Sequence, residues 1–487
     1  VTLPPIQTQQ KPIILWFRQD LRLADNPALQ AALADGGAAI IPLYILDETP
    51  AVRPMGGASL WWLDKSLAAL ARALEAAGSR LVLRRGEAAE VLAEIIAETG
   101  AGAVHWNRLY DAGAIARDRV IKAGLTRAGV TCMSCNGALL NEPWEIETGA
   151  GGPYKVYTPY WRAARQRIGD FVLHRAPDVL PSPMAWPMSD ALADWGLHPV
   201  KPDWSTGFDD WIPGEAGAGD ALHDFLDEAL GAYGTDRDRP DRDGTSRLSP
   251  HLHFGEISPR QVWRATQGAV ARGASEAQAD KFLSEVGWRE FNHHLLFHYP
   301  DLPARNFRPE WDAFVWQGDD GAFEAWSQGM TGFPIVDAGM RELWATGFMH
   351  NRVRMITASF LIKDLLIDWR RGEAWFWDTL VDADIAQNAA NWQWVAGSGA
   401  DASPYFRIFN PMTQGEKFDP HGDYVRRWIP ELADLPANAI HAPWTAKPGV
   451  LEAAGVVLGE TYPHPIVDHG HARTRALEAY AALKDAA

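Results

Sequence analysis

Residues 345–411 read ATGFMHNRVRMITASFLIKDLLIDWRRGEAWFWDTLVDADIAQNAANWQWVAGSGADASPYFRIFNP. Asp384, Asn388 and Trp392 recur every four residues, so on a helix they share one face. Asn351 and Met355 form another i, i+4 pair, on a helix that also carries Arg352 and Arg354. Carboxylate, amide, guanidinium and indole groups interleaved this densely with apolar residues point to a buried polar pocket, because a face that only packs needs none of them. Upstream, Glu285, Trp288, Arg289 and Asn292 fall at i, i+3, i+4 and i+7, again one helix face. Asn351, Met355, Asp382, Asp384, Asn388 and Trp394 supply the facing set. Polar walls with aromatic sides suit a flat heterocycle better than a metal, and no HExxH-type spacing occurs, so no metal site is expected. His350 and the pair His293–His294 read as core or rim residues, not ligands.

Outward from that pocket, helical periodicity dominates from residue 220, over 221–232, 258–272, 277–297, 322–328, 334–346, 351–369, 373–380 and 385–394. Residues 12–135 behave differently. Five short apolar strands (13–17, 39–45, 80–83, 103–106 and 130–133) alternate with helical stretches at 27–34, 58–77, 88–98 and 114–128, the pattern of a parallel sheet covered on both sides. The expected fold is an N-terminal α/β Rossmann-like doubly wound domain over 12–140 and a larger all-α domain over 220–480. A Gly- and Pro-rich connection over 141–219 joins them. That connection holds YTPYWRAARQR, a short basic helix that suits either a solvated face or a phosphate contact. The first βα turn reads RQDLRLADNPAL, not GxGxxG, which disfavours a dinucleotide there. In the loop YGTDRDRPDRDGTSRLS (233–249), Thr245, Ser246 and Ser249 suit phosphate binding and helix capping equally.

A length of 487 residues implies two or three domains, and 47% hydrophobic with 22% charged residues is globular. A net charge of −17 argues against DNA binding by the whole surface. It leaves room for a local basic patch, since screening confines each charge to about 8 Å. Cys132 and Cys135 form a CxxC, but nothing around them completes a thioredoxin or zinc pattern. The 23 tryptophans exceed what packing alone asks for. The N-terminal VTLPPIQTQQKP has no apolar core before a cleavage site, and no apolar run approaches the roughly 18 residues of a membrane span. A soluble, cytoplasmic protein is expected.

Five blocks, in order, resemble the photolyase and cryptochrome family: WFRQDLRLADNPAL (16–29), DGTSRLSPHLHFGEISPRQVW (243–263), SEVGWREF (284–291), GFMHNRVRMITASFLIKDLLIDWR (347–370) and NWQWVAGSGADASPYFRIFNPMTQGEKFD (391–419). The similarity runs from about 12 to 445. It implies a helical domain that binds FAD, with Tyr233, Thr245, Ser246, Leu248 and Ser249 on the diphosphate and ribityl parts. Arg354, Asp382, Asp384 and Asn388 would surround the flavin ring, and Arg247 and Arg289 are further cofactor contacts by the same resemblance. Asn388 would face flavin N5, where an amide able to donate and accept tolerates a change of protonation. Trp392, Trp369 and Trp316 match a tryptophan relay that carries electrons to the flavin.

The same resemblance separates the family's branches. Relatives that repair (6-4) photoproducts carry His at the positions of Asn351 and Met355, and plant-type cryptochromes have Asp at that of Asn388. Many cryptochromes add long C-terminal tails, whereas this sequence stops soon after the match. The chain is therefore most similar to microbial cyclobutane-dimer photolyases of the class III type, close to class I. The implied activity is that of a deoxyribodipyrimidine photo-lyase, the light-driven splitting of pyrimidine dimers in DNA by an electron from excited FADH⁻. Glu285, Asn351, Met355, Trp288 and Trp394 would form the lesion pocket, and Arg237, Arg352, Arg407 and Lys417 would grip phosphates. The implied partner is UV-damaged DNA, bound by a monomer. NRLYDAGAIARD (107–118) resembles the class III branch, so a methenyltetrahydrofolate antenna is expected, with 8-hydroxy-deazaflavin or none as alternatives. A blue-light photoreceptor that signals without repair is the other reading, and an ordinary flavin oxidoreductase lacks its nicotinamide fingerprint.

Overall fold

The computed structural model describes residues 10–401 and 406–486. Most of the N-terminal stretch read for a leader, and residues 402–405 of the last motif, lie outside them. Five strands, β1 (Ile13–Phe17), β2 (Ile40–Asp47), β3 (Val82–Gly86), β4 (Ala103–Asn107) and β5 (Thr131–Cys135), form one parallel sheet in the order β3-β2-β1-β4-β5. The period-2 alternation of β1 divides its side chains between two cores. Ile13, Leu15 and Phe17 join Leu29, Trp62 and Leu67 on one face, while Ile14 and Trp16 join Val91, Ile95 and Ile121 on the other. The helices Pro27–Ala34 and Gly57–Ala76 thus cover one side, and Ala88–Thr99 and Ala112–Arg127 the other.

The strand order reverses between β1 and β4, where such sheets usually hold a ligand. Here several polar groups of the first turn bond to one another and to neighbouring elements. Asn107 Nδ2, at the end of β4, donates to Asp20 Oδ2 (2.6 Å) and Asn26 Oδ1 (2.8 Å), and Arg18 pairs with Asp118 (2.7 Å). Asn26 in turn caps the first helix through Leu29 N (3.1 Å). Cys132 and Cys135 are free, half-buried residues on β5. Three positions apart on a strand, they point to opposite faces. Among the described residues no His/Cys/Asp/Glu group suits a metal, and no helix is long and apolar enough to cross a membrane.

The remainder is helical. Glu276–His298 and Ile385–Ala396 pack on each other, and Asn351–Ser359 and Trp369–Thr379 also pack on Ile385–Ala396. The single helix expected over 351–369 is two. After Ser359 the chain widens into a π-helical turn, Phe360–Asp364, Leu366 takes φ +53°, and Asp368 caps a new helix through Arg370 N (3.0 Å). Lys363 and Asp364 are buried in this turn and find partners in distant segments: the Arg407 carbonyl at 3.4 Å and His469 Nδ1 at 2.5 Å. The helix expected at 221–232 likewise starts earlier, at Glu215, and passes through a π-helical turn at Phe225–Ala229.

The two parts interlock. Trp62 Nε1 donates to Glu256 (3.0 Å), Gly57 N to Asp378 (2.8 Å) and Trp377 Nε1 to the Pro54 carbonyl (2.8 Å). Within the connecting segment, YTPYWRAARQR is indeed helical (Tyr157–Arg167) and packs on Glu276–His298.

Candidate functional site

The Ile385–Ala396 helix organises the site. Asp384 caps it, accepting from Ala386 N and Gln387 N (both 3.0 Å), with His253 Nδ1 at 3.2 Å and His293 Nε2 at 3.8 Å. Burial alone would push the Asp384 carboxyl up. The neighbouring imidazoles and Arg289 outweigh it and hold it well below the usual range. Burial pushes His293 down to about 4, and neither of its nitrogens has a hydrogen-bond partner among the described residues. Arg354 makes a bidentate pair with Asp382 (2.9 and 3.1 Å), which aligns the guanidinium plane.

One turn on, Asn388 Nδ2 donates to the Glu373 carbonyl (3.0 Å) and to Glu373 Oε1 (2.9 Å). Both amide hydrogens are spent, so only Oδ1 remains, and it can only accept. An amide expected from sequence to donate and accept is thus an acceptor alone. Glu373 is itself held by Arg53 of the α/β domain, through Nη1 to Oε1 (2.7 Å) and Nη2 to Oε2 (2.9 Å).

Of the other expected cofactor contacts, Tyr233 and Leu248 are buried, Thr245 and Ser246 half-buried, and Ser249 exposed at the start of the Ser249–His253 turn. Arg247 has φ +50° and lies 4.1 Å over the Trp211 ring. Arg289 donates to the carbonyls of Ala138 (2.8 Å) and Leu252 (3.4 Å), tying the connecting segment to the helical domain.

Trp288 and Trp394, from the two central helices, line one cleft together with Asn292 and Asp401. Trp288 is backed by Tyr157, stacked at 3.8 Å and 10°, a contact the sequence did not disclose. Tyr157 OH donates to the Ser284 carbonyl (2.6 Å), and its N–H to Asp401 (2.9 Å). Glu285 is ion-paired with Arg237. Asn351 is exposed at the first position of its helix, and Met355 is half-buried with its sulfur 3.7 Å from Arg352 Nη1. Arg352 and Lys417 flank one ring, Phe418, at 4.5 and 4.9 Å, whereas exposed Arg407 sits over Phe409. Trp392 and Trp369 are buried in one hydrophobic cluster with Trp316 against it. The rings meeting Trp392 are Phe376 (5.0 Å) and Trp326 (6.3 Å), Trp369 Nε1 donates to Asn306 (3.0 Å), and Trp316 meets Phe314 (4.5 Å).

An acceptor amide, a planar guanidinium–carboxylate pair and an unpartnered imidazole among aromatic side chains fit a flat heterocycle with donors and acceptors on its edge. The family models agree. DNA photolyase matches residues 13–182, and the FAD binding domain of DNA photolyase matches 282–482. A deoxyribodipyrimidine photo-lyase of Agrobacterium fabrum is 56% identical over 474 residues, 97% of this chain and 98% of the relative. Cryptochrome-2 of Arabidopsis thaliana is 40% identical over 98% of this chain and 80% of its own. The crystal structure of a bacterial class III photolyase from Agrobacterium tumefaciens superposes with a TM-score of 0.96 at 55% identity, over 99% of this chain and all of that one. The chain belongs to the DNA photolyase family.

Proposed function

We propose that this protein is a deoxyribodipyrimidine photo-lyase that repairs cyclobutane pyrimidine dimers in DNA under blue light. The observation that carries this reading is the cleft between Trp288 and Trp394, with Glu285 one helical turn before Trp288. Two indoles facing one opening make an aromatic wedge for a pair of linked pyrimidines taken out of the stack. Extrusion is least costly at a damaged, poorly paired step. Glu285, paired with Arg237, would hydrogen-bond the pyrimidine carbonyls and stabilise the radical anion. Asn351 would assist Glu285, and Met355 would pack on the dimer. Arg237, Arg352, Arg407 and Lys417 meet phosphates at the rim, a local basic edge on an acidic protein.

The cofactor is FAD, which Tyr233, Thr245, Ser246, Arg247, Leu248, Ser249, Arg289, Arg354, Asp382, Asp384 and Asn388 would hold. Fully reduced FAD, when bound, supplies the electron that light drives into the dimer. Trp392, Trp369 and Trp316 would relay electrons inward from the surface, and Asn388 would face the flavin ring. The antenna is methenyltetrahydrofolate, a reading supported by NRLYDAGAIARD and the likeness to a class III photolyase. The protein acts as a cytoplasmic monomer on UV-damaged DNA.

The test is an oligonucleotide with one cyclobutane thymine dimer, incubated with the reduced protein under blue light and in the dark. Recovery of thymine absorbance in the light alone is expected. No recovery from a protein that binds and photoreduces FAD would replace repair with a photoreceptor role, the reading that similarity to Cryptochrome-2 favours.

A further inference from the structure

Residues 406–410 form neither helix nor strand, so contacts with other segments place exposed Arg407. Two of these contacts fix the main chain. Lys363 Nζ donates to the Arg407 carbonyl (3.4 Å), and Phe409 N donates to Ser359 Oγ (3.2 Å). Another fixes the side chain next to Arg407. The Phe406 ring lies flat on Tyr480 of the His469–Ala486 helix, at 4.5 Å and 11°, and Lys363 Nζ sits 3.8 Å from its centre. Trp311 packs on both rings, at 5.8 Å from each. The helix that carries Tyr480 is tied to the turn that carries Lys363. His469 Nδ1 meets Asp364 Oδ1, and Arg475 Nη2 donates to the Asp364 carbonyl, both at 2.5 Å. Ala476 and Leu483 of that helix join Trp311, Phe314 and Leu366 in one apolar cluster. A flat aromatic stack has a preferred geometry, so it restrains rotation of the Phe406 side chain as burial alone does not.

We propose that Tyr480 is a positioning residue for DNA binding: its stack on Phe406 holds the neighbouring Arg407 ready to meet a phosphate. The inference rests on the reading that Arg407 grips DNA phosphate. Phe406 and Arg407 share a peptide plane, so a Phe406 free to turn carries Arg407 with it. With the stack in place the segment is ordered before DNA arrives, and the entropy of ordering it does not subtract from affinity. The walls of the lesion pocket stand on the Glu276–His298 and Ile385–Ala396 helices and do not depend on this stack. The effect therefore belongs to the phosphates that flank the dimer and not to the dimer itself. Tyr480 acts through Arg407 and touches neither lesion nor flavin.

The experiment compares two substrates of the flavin-loaded protein: an oligonucleotide with one cyclobutane thymine dimer, and the same dimer as a dinucleotide without flanking phosphates. Anisotropy across a salt series follows binding of the oligonucleotide. Repair of both under blue light and FAD content are measured alongside. Tyr480→Ala is expected to bind the oligonucleotide about threefold to tenfold more weakly and to lower its salt slope by about one. KM for the oligonucleotide rises by the same factor, while kcat and repair of the dinucleotide stay at the parent values. Tyr480→Phe, which keeps the stack, is expected to restore parent binding. Thr474→Ala, exposed on the same helix, is the control expected at the parent value. Arg407→Gln should reproduce the loss, and Tyr480→Ala added to it should weaken binding no further. Parent affinity and slope in Tyr480→Ala, beside a loss in Arg407→Gln, overturn the proposal alone. Parent binding in Arg407→Gln removes the reading that Arg407 grips phosphate, and the proposal with it. Equal losses on oligonucleotide and dinucleotide, or a fall in FAD content, mark a general structural role and also overturn it. Should Tyr480→Ala not fold, Tyr480→Leu, which fills the space without a flat ring, decides by the same comparisons.

Discussion

Arg352 Nη2 donates to Asp238 Oδ1 at 2.8 Å, so one of the cations proposed to grip phosphate is already paired with an acid next to Arg237 in sequence. DNA phosphate would have to compete with that carboxylate. Exposed pairs contribute at most about 1 kcal/mol, so the competition costs a few-fold in affinity. Asp238→Asn is therefore expected to tighten binding of a dimer-containing oligonucleotide a few-fold and to steepen its salt dependence by about one phosphate. Fluorescence anisotropy across a salt series reads both, and weaker binding would show that Asp238 supports the DNA contact instead.

Tyr157 stacks flat on Trp288, leaving the opposite indole face to the cleft. Aromatic pairs of this kind are worth about 0.5–1.5 kcal/mol beyond burial. Tyr157→Leu should weaken lesion binding roughly threefold to tenfold by that amount and leave FAD content unchanged. Tyr157→Phe, which keeps the stack and loses only the bond to the Ser284 carbonyl, should lie close to the parent. Equal losses in the two variants would assign the effect to the hydroxyl.

Gly372 is where Trp392 is packed most tightly. A Cβ there would lie 2.1 Å from the Trp392 ring and 2.6 Å from Leu361. Overpacking of this kind costs about 1–3 kcal/mol. Gly372→Ala should lower Tm by several degrees and slow light-driven flavin reduction by displacing the indole from its place. Unchanged photoreduction in a destabilised but folded variant would separate Trp392 from the electron path.

Burial holds His293, His294 and His350 near 4, below the ordinary 6.5. The unfolded chain binds these protons first, so stability is complete above about pH 6.5 and is lost as pH falls toward 4. One unit below 6.5 the loss is about 1.4 kcal/mol per histidine. Glu290 works the other way. Burial raises it to about 7, so its contribution is present below about pH 4.5 and is lost as pH rises through 7. The histidine contribution therefore lowers Tm on acidification from pH 7 to 5, and the buried carboxyls that burial raises, Glu290, Asp337 and Glu342 among them, oppose it. His294→Gln should reduce the histidine contribution, and an unchanged pH dependence of Tm in that variant would refute it.

The sheet was legible because β1 alternates so strictly. Ile13, Leu15 and Phe17 face one core and Ile14 and Trp16 the other, as period 2 requires. The Ile385–Ala396 helix was legible for a similar reason: Asp384 is both the cap and the first member of an i, i+4 series. The break inside 351–369 was not. Its apolar periodicity runs on without a break, and the partners of buried Lys363 and Asp364, at Arg407 and His469, lie in no local pattern. Tyr157 was hidden likewise, inside a segment whose Gly and Pro content reads as connection.

What the sequence determined by itself is whatever depends on spacing along the chain: five parallel strands, the helical run that follows, and the facing sets that include Trp288, Asn388 and Trp394. Only the tertiary structure decided how those groups are occupied. Arg53 and Glu373 stand 320 residues apart, yet their contact leaves Asn388 an acceptor and not a donor. Residue type states what an amide can do, but which of its hydrogens are already taken depends on neighbours that docking alone brings within 3 Å.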